Sequence, residues 1–238
     1  MADRRVFFIF GFSLLALACG GTGQPEVSLP AIVNNTAQTP FLVGDVTVTL
    51  SEAALAFGPA YFCASASGSA GLCEAALGEI RSVSAIDLLT PGPINIGTYK
   101  GFSGTVRSVS FDYGIHWFLP EQEPKTAPEA PLGHSAHFAG TAERNGKTVS
   151  FSADVDVLPL YQGERAVTTA KASGDISEST KQITITFDVP ALFSNVEFGA
   201  MLDGDQNPVS IQPKSRDHDS IVIQMVSASP PSFVWLNP

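Results

Sequence analysis

AHFAGTAERNGKTVSFSADV, residues 136–155, carries Asn145-Gly146 between two segments in which apolar and polar residues alternate. Asn-Gly is the favoured pair for a two-residue type I′ turn, because both turn positions need a positive φ. A loop of two residues also fixes the register of the strands on either side. The stretch therefore predicts an antiparallel hairpin in which Arg144 faces Lys147.

The predicted register sorts the hairpin into a polar face and an apolar face. On the polar face, Thr141 meets Ser150 and His137 meets Asp154. The other face holds only apolar residues and glycine, paired as Ala142 with Val149, Gly140 with Phe151, Phe138 with Ala153 and Ala136 with Val155. A slip of one residue would bury the polar set instead. We therefore expect the apolar face to lie on the core of the domain.

Alternation with a period of two recurs along the chain and predicts more strands. The longest such segment is Thr105–Leu119, with Val109, Phe111, Tyr113, Ile115, Trp117 and Leu119 on one face and Ser108, Ser110, Asp112 and His116 on the other. Further strands are predicted at Asp45–Ser51, Ser82–Leu89, Ile183–Val189 and Ser232–Leu236, and at Leu55–Cys63 with a bend at Gly58-Pro59. Pro120–Leu132 contains four prolines and is expected to be an exposed loop.

Two short helices are predicted among these strands. One begins near Pro190 and extends to Val196, since proline is tolerated in a first turn. Ser215 is a candidate N-cap for a helix over 215–226, where a strand is the alternative. Together the segments predict an all-β fold: a single β-sandwich, Ig-like or prealbumin-like, over residues 41–238. It would contain about seven to nine mostly antiparallel strands and one or two short helices.

The N-terminus has the features of a secretory signal. Arg4 and Arg5 precede a 13-residue apolar run, Val6–Ala18, which is followed by Cys19. The run is shorter than the roughly 20 apolar residues that span a bilayer. Residues 1–18 are therefore interpreted as a signal peptide. Residues 19–40, rich in Gly, Pro, Thr and Asn, are interpreted as a flexible tether.

Leu15-Ala16-Leu17-Ala18-Cys19 resembles the lipobox of bacterial lipoproteins. The resemblance implies that the signal is removed before Cys19, whose thiol then carries lipid such as palmitate and holds the protein on the membrane. Gly20 stands where an aspartate would favour the inner membrane, which implies an outer-membrane protein facing the periplasm or the exterior. A secreted protein cut near Ala18 and an uncleaved anchor are the alternatives.

The charge of the chain limits its partners. The net charge is −10, and no Lys/Arg cluster interrupts the acidic composition. Nucleic acids and anionic headgroups would be repelled by such a surface. We therefore expect no nucleic-acid partner.

Three cysteines are present, and Cys19 is assigned to lipid. Cys63 and Cys73 remain as a pair in an oxidising compartment, which predicts a disulfide between them.

His134 and His137 are the candidate metal ligands. Residues three apart in a strand point to opposite faces, so the hairpin register sends His134 inward and His137 outward. They could converge only if residues 133–135 form a loop. The simpler interpretation pairs His137 with Asp154 across the strands.

No nucleophile elbow, phosphate loop or dinucleotide fingerprint is found in the sequence. The order of features from IDLL through GTVRSVSF to the Asn-Gly hairpin is similar to lipoprotein sandwich domains of unknown function. We therefore expect a non-catalytic binding or structural module of the cell envelope, without a cofactor. Its partner would be an envelope protein or a small ligand. The alternative is a periplasmic copper-binding protein that uses His134 and His137.

Overall fold

The computed structural model describes residues 23–35, 38–66, 73, 75–167 and 169–237. These residues are mostly in strands, with a few short helices, as the sequence predicts. The sixteen strands exceed the predicted number. They are β1 (Glu26–Asn35), β2 (Phe41–Val43), β3 (Val46–Phe57), β4 (Ala60–Cys63), β5 (Ala76–Ile80), β6 (Ser84–Asp87), β7 (Gly92–Phe102), β8 (Gly104–Phe111), β9 (Ile115–His116), β10 (Lys125–Thr126), β11 (Ala136–Arg144), β12 (Lys147–Val155), β13 (Ala170–Ile176), β14 (Gln182–Thr186), β15 (Val209–Ile211) and β16 (Ser232–Leu236).

The strands form two large sheets and one small ribbon. The eight-stranded sheet has the order β13-β8-β4-β5-β7-β1-β14-β16. The six-stranded sheet has the order β15-β12-β11-β3-β2, with β6 also paired to β3, and β9 and β10 form the ribbon. The β1–β14 and β12–β15 pairs are parallel. Both large sheets contribute side chains to one hydrophobic core.

The predicted hairpin is confirmed in register as well as in position. β11 and β12 pair from Arg144 with Lys147 to Ala136 with Val155. Asn145 and Gly146 both have positive φ, at 54° and 77°. The apolar face is buried: Phe138, Ala142, Val149 and Phe151 are all 3% exposed or less. The turn therefore sets the face that this sheet presents to the core.

The chain passes from the six-stranded to the eight-stranded sheet at the predicted bend, Gly58-Pro59. Gly58 has a φ of 109°, and a Cβ atom there would collide with the carbonyl oxygen of Ser82. Only glycine combines that backbone angle with so close an approach. β3 and β4 are thereby continuous in sequence but belong to different sheets.

The eight-stranded sheet curls until its two edge strands, β13 and β16, come into contact. Gly174 in β13 lies against the indole ring of Trp235 in β16, where a Cβ would overlap the ring. Trp235 is 9% exposed. A small residue on one edge and a large one on the other thus bring the two edges together.

The tether prediction is wrong for residues 26–35. β1 lies inside the eight-stranded sheet between β7 and β14, with Val27, Leu29, Ala31 and Val33 buried. Those four residues alternate with exposed or half-buried ones, so the segment has a core-facing side like the other strands. The domain therefore starts before residue 41, while residues 19–22 lie outside the described part of the chain.

The single long strand predicted at Thr105–Leu119 is also wrong. β8 ends at Phe111, and Gly114, with a φ of 70°, turns the chain before the short β9. Leu119, which shares a predicted face with Val109 and Phe111, is 75% exposed, whereas those two are buried. The alternation continues through a segment that changes direction, so the pattern alone does not reveal the break.

The predicted helix starts and the predicted final strand in the C-terminal part of the chain are confirmed. α1 (Val189–Leu192) begins beside Pro190, and Asp188 accepts a hydrogen bond from the amide of Ala191. α2 spans Phe198–Asp203. Ser215 caps α3 (Arg216–Ile223) by accepting from the amide of His218, and a π-helical turn, Gln224–Ala228, follows. Residues 216–223 are therefore helical rather than a strand, and β16 coincides with the predicted final strand.

Candidate functional site

Loops from several strands gather at one end of the domain. The pairings Cys63 with Ser108 and Ala60 with Phe111 show the direction in which β8 runs beside β4. Across the sheet, Cys63 lies at the same end as Glu26, where β1 begins. β8 runs from that end toward Phe111, so Phe111 lies farther from Glu26. The loops of residues 112–135, together with residues 156–167 and 169, therefore lie away from Glu26. We call them the distal loops.

Asp112 is the first residue after β8, and its backbone is fixed by hydrogen bonds on both sides. Its carbonyl accepts from Gly58 N at 2.9 Å, and its amide donates to Pro59 O at 3.2 Å. Its side chain is 1% exposed and forms an ion pair with the guanidinium of Arg165, whose side chain is 6% exposed. This buried ion pair joins the end of β8 to the distal loop that follows residue 155.

Arg165 is also held by aromatic rings. Its guanidinium carbon lies 4.4 Å from the ring centroid of Tyr61 and 5.6 Å from that of Phe118. Each desolvated cation–π contact contributes on the order of 1–2 kcal/mol. The ring of Phe118 in turn packs 4.3 Å from that of His116. The cation therefore connects β4, the loop after β9 and its own loop.

The surroundings of the pair perturb two ionisable groups. Burial raises the pKa of Asp112 to about 6, while the charge and hydrogen bond of Arg165 oppose the rise. Burial lowers the pKa of His116, and the nearby Glu121 carboxylate works against that shift. Ser110 Oγ, Asp112 Oδ1 and His116 Nδ1 are buried without a hydrogen-bond partner among the described residues. This unmet hydrogen-bonding capacity adds to the cost of burying the pair.

Hydrogen bonds complete the junction between the distal loops. The amide of Gly163 donates to Trp117 O at 2.6 Å. The side-chain amide of Gln162 donates to the carbonyl oxygens of Leu119 and Glu121, both at 2.6 Å. The loops are therefore ordered by specific contacts rather than by apolar burial alone.

The distal loops display apolar side chains on their outside. Eleven large apolar side chains of the described residues are exposed, and six of them belong to these loops. We define the distal apolar surface by those six: Phe118, Leu119, Leu132, Leu158, Leu160 and Tyr161. Single exposed apolar residues are ordinary, whereas several in loops that contacts hold together favour an interaction site.

Leu132 is the most unusual member of this surface. It has φ 52° and ψ 19°, the left-handed region, and is 74% exposed. Leucine is disfavoured in that conformation by about 1–2 kcal/mol, whereas glycine and asparagine adopt it readily. An exposed leucine there gains no compensating burial within the domain.

In the structure, His134 and His137 each lie against carboxylates, and the two imidazoles do not face a common ligand position. His137 Nδ1 lies 2.6 Å from Asp154 Oδ1, which confirms the predicted pair, and Nε2 lies 3.3 Å from Glu52. His134 Nδ1 lies 3.0 Å from Asp156 Oδ1. No group of three or more His, Cys, Asp or Glu within the described ranges is arranged to hold a metal ion.

The prediction that His134 points inward is wrong. It follows a 3₁₀ turn, Pro131–Gly133, and precedes β11, so the alternation of the strand does not apply to it. Its side chain is 31% exposed. The loop condition that the sequence left open at residues 133–135 is therefore met.

The predicted disulfide between Cys63 and Cys73 is confirmed, with Cα atoms 5.5 Å apart. Cys63 lies in β4 and is fully buried. The proposed lipid attachment residue, Cys19, lies outside the described residues.

Sequence reasoning did not identify Arg165 or the distal apolar surface. Arg165 acts on Asp112 across 53 positions, and a lone arginine in a loop carries no pattern. Leu158, Leu160 and Tyr161 belong to VLPLYQ, residues 157–162. A continuous apolar run of this kind predicts a buried segment, so the sequence did not single out these residues as exposed.

Comparisons with family models, with curated proteins and with solved structures give no match. Within the part of the chain that is described, no helix is long and apolar enough to cross a membrane. The site is therefore interpreted from its own chemistry.

The raised pKa of Asp112 predicts a specific pH dependence of stability. The folded state binds this proton more tightly than the unfolded state, whose carboxyl has its ordinary pKa of 3.8. The stabilisation is therefore present below about pH 4 and is lost as the pH rises through about 6, by on the order of 3 kcal/mol. Asp112→Asn cannot titrate and should lose this dependence in urea unfolding experiments.

The quantity to follow with pH is the unfolding free energy of the wild type minus that of Asp112→Asn. Groups that titrate alike in both proteins, including His116, cancel in that difference. We expect the difference to fall between about pH 4 and about pH 7. A difference that stays constant over this range would contradict the account of Asp112.

A second prediction concerns the histidines. Because each imidazole is engaged by carboxylates, titration calorimetry of the full chain with Cu²⁺ or Zn²⁺ should show no submicromolar binding. Submicromolar affinity lost in both His134→Ala and His137→Ala would instead establish a metal site. His116→Ala is the matched control, since that residue lies beside the Asp112 cluster.

Proposed function

We propose that this chain is a lipid-anchored protein of the bacterial cell envelope and that its β domain is a non-catalytic binding module. Two features support the location. Residues 15–19 resemble a lipobox, and the Cys63–Cys73 disulfide suits an oxidising compartment. Gly20 favours the outer membrane as the site of anchoring. No cofactor is part of this proposal.

The single observation that carries the binding role is the position of the distal apolar surface. β1 begins at Glu26, and a chain from Cys19 to Glu26 reaches at most roughly 25 Å. An anchor at Cys19 would thus keep the Glu26 end of the domain nearest the membrane. The distal apolar surface lies away from that end and is presented toward other envelope components.

The sandwich architecture is part of the same proposal. The core residues of the eight-stranded and six-stranded sheets form one cluster, which supports two layers packed face to face. Such a scaffold holds loops at the ends of its strands, where binding surfaces of sandwich folds commonly lie.

Lipid anchoring is tested by Cys19→Ala. The variant should leave the membrane fraction and appear in the soluble fraction, because the acyl chains that hold the protein would be missing. Mass spectrometry of the wild type should show the acyl mass on Cys19. Gly20→Ala is the matched control and should remain membrane-bound. A wild-type protein that is soluble and carries no acyl mass would refute the proposed anchor.

A further inference from the structure

We propose that the distal apolar surface docks a segment of a partner protein that combines apolar side chains with lysine or arginine residues. The proposal deepens the binding role proposed above and rests on it. Four observations support it: the exposure of the apolar side chains, the order of the loops, the backbone conformation of Leu132 and the charges of the distal loops.

The apolar side chains are exposed but are not loosely held. Leu160 is 80% exposed and Leu119 is 75% exposed, yet both belong to loops that are fixed by hydrogen bonds and by Arg165. A surface that is already ordered loses little conformational entropy when a partner binds. The loops are therefore preorganised for docking rather than dependent on a partner for their structure.

The conformation and exposure of Leu132 indicate that its apolar side chain serves in binding. Its left-handed backbone would be satisfied better by asparagine or glycine, and its side chain is mostly in water. Neither folding nor solubility explains a leucine at this position. Strained residues of this kind concentrate at binding sites, where a ligand offsets the strain.

The distal loops carry an excess of acidic residues. Glu123, Glu129 and Glu164 belong to the distal loops and form no ion pair with any described residue. Lys125, the only lysine of these loops, is already paired with Glu121 at 3.4 Å. A partner with basic residues around an apolar centre would complement this arrangement and would be steered toward it.

The same charges argue against two other occupants. A second copy of the chain would bring the same unpaired glutamates into contact, at a net charge of −10 per chain. An anionic bilayer would be repelled in the same way. The partner segment with basic residues is the occupant that satisfies both the exposed apolar side chains and the unpaired glutamates.

A displayed library of random peptides, selected against the full-length chain immobilised through a tag after Pro238, tests the proposal. Enriched peptides should combine apolar residues with net positive charge. Their affinity should fall at least about tenfold in the double variant Leu132→Asn, Leu160→Asn, because about two apolar contacts are removed. It should also fall as salt is raised.

The variants are chosen so that the fold is kept. Asparagine suits the left-handed position 132, and residue 160 is largely in solvent, so the unfolding free energy should not decrease. Leu42→Asn is the matched control: Leu42 is 70% exposed but lies in β2, away from the distal loops, and its loss should not change peptide binding.

Several results would overturn the inference. These are a selection without enrichment, enriched peptides without net positive charge, and equal binding to the wild type and the double variant. Self-association by sedimentation or binding to lipid vesicles, if lost in the double variant, would assign the surface to those occupants instead. Because these results do not depend on acylation, failure here is distinguishable from failure of the proposed anchor.

Discussion

A carboxylate and a guanidinium that are both almost fully buried, Asp112 and Arg165, hold the distal end of this domain together. Removing one partner of such a pair leaves an uncompensated charge and costs about 3–5 kcal/mol, whereas replacing both by apolar groups is often neutral. The pair is therefore weak evidence for stability. The pair matters for the arrangement of the chain, because Arg165 also contacts Tyr61 and Phe118 and so joins three segments.

The two sheets and the distal loops are organised by different kinds of information. The hairpin register follows from Asn145-Gly146 and from local alternation, and the sequence predicts every pair correctly. The Ser215 cap and the final strand are equally local and are also predicted. Where a turn, a cap or a period decides the structure, neighbouring residues contain the necessary information.

The failures have a common physical cause. Ser110 and Asp112 belong to the polar face of the predicted Thr105–Leu119 strand, yet both are 1% exposed, and Arg165 covers the Asp112 carboxylate. That cover comes from a segment 53 positions away, and no local pattern reports it. The sequence did not predict β1 for a different reason. The segment also contains Pro30, Asn34 and Asn35, so its composition is typical of a linker although Val27, Leu29, Ala31 and Val33 alternate along it.

Hydrogen exchange of the Gly163 amide in Arg165→Met tests most directly whether the buried pair fixes the distal loops. This amide donates to Trp117 O across the junction. If the pair holds the junction, the amide should exchange in the variant at close to the rate of an unstructured amide, while the amides of Ala142 and Val149, which are buried and paired in the hairpin, stay protected. Protection of Gly163 equal to that in the wild type would contradict the account, because the loops would then be held without the pair.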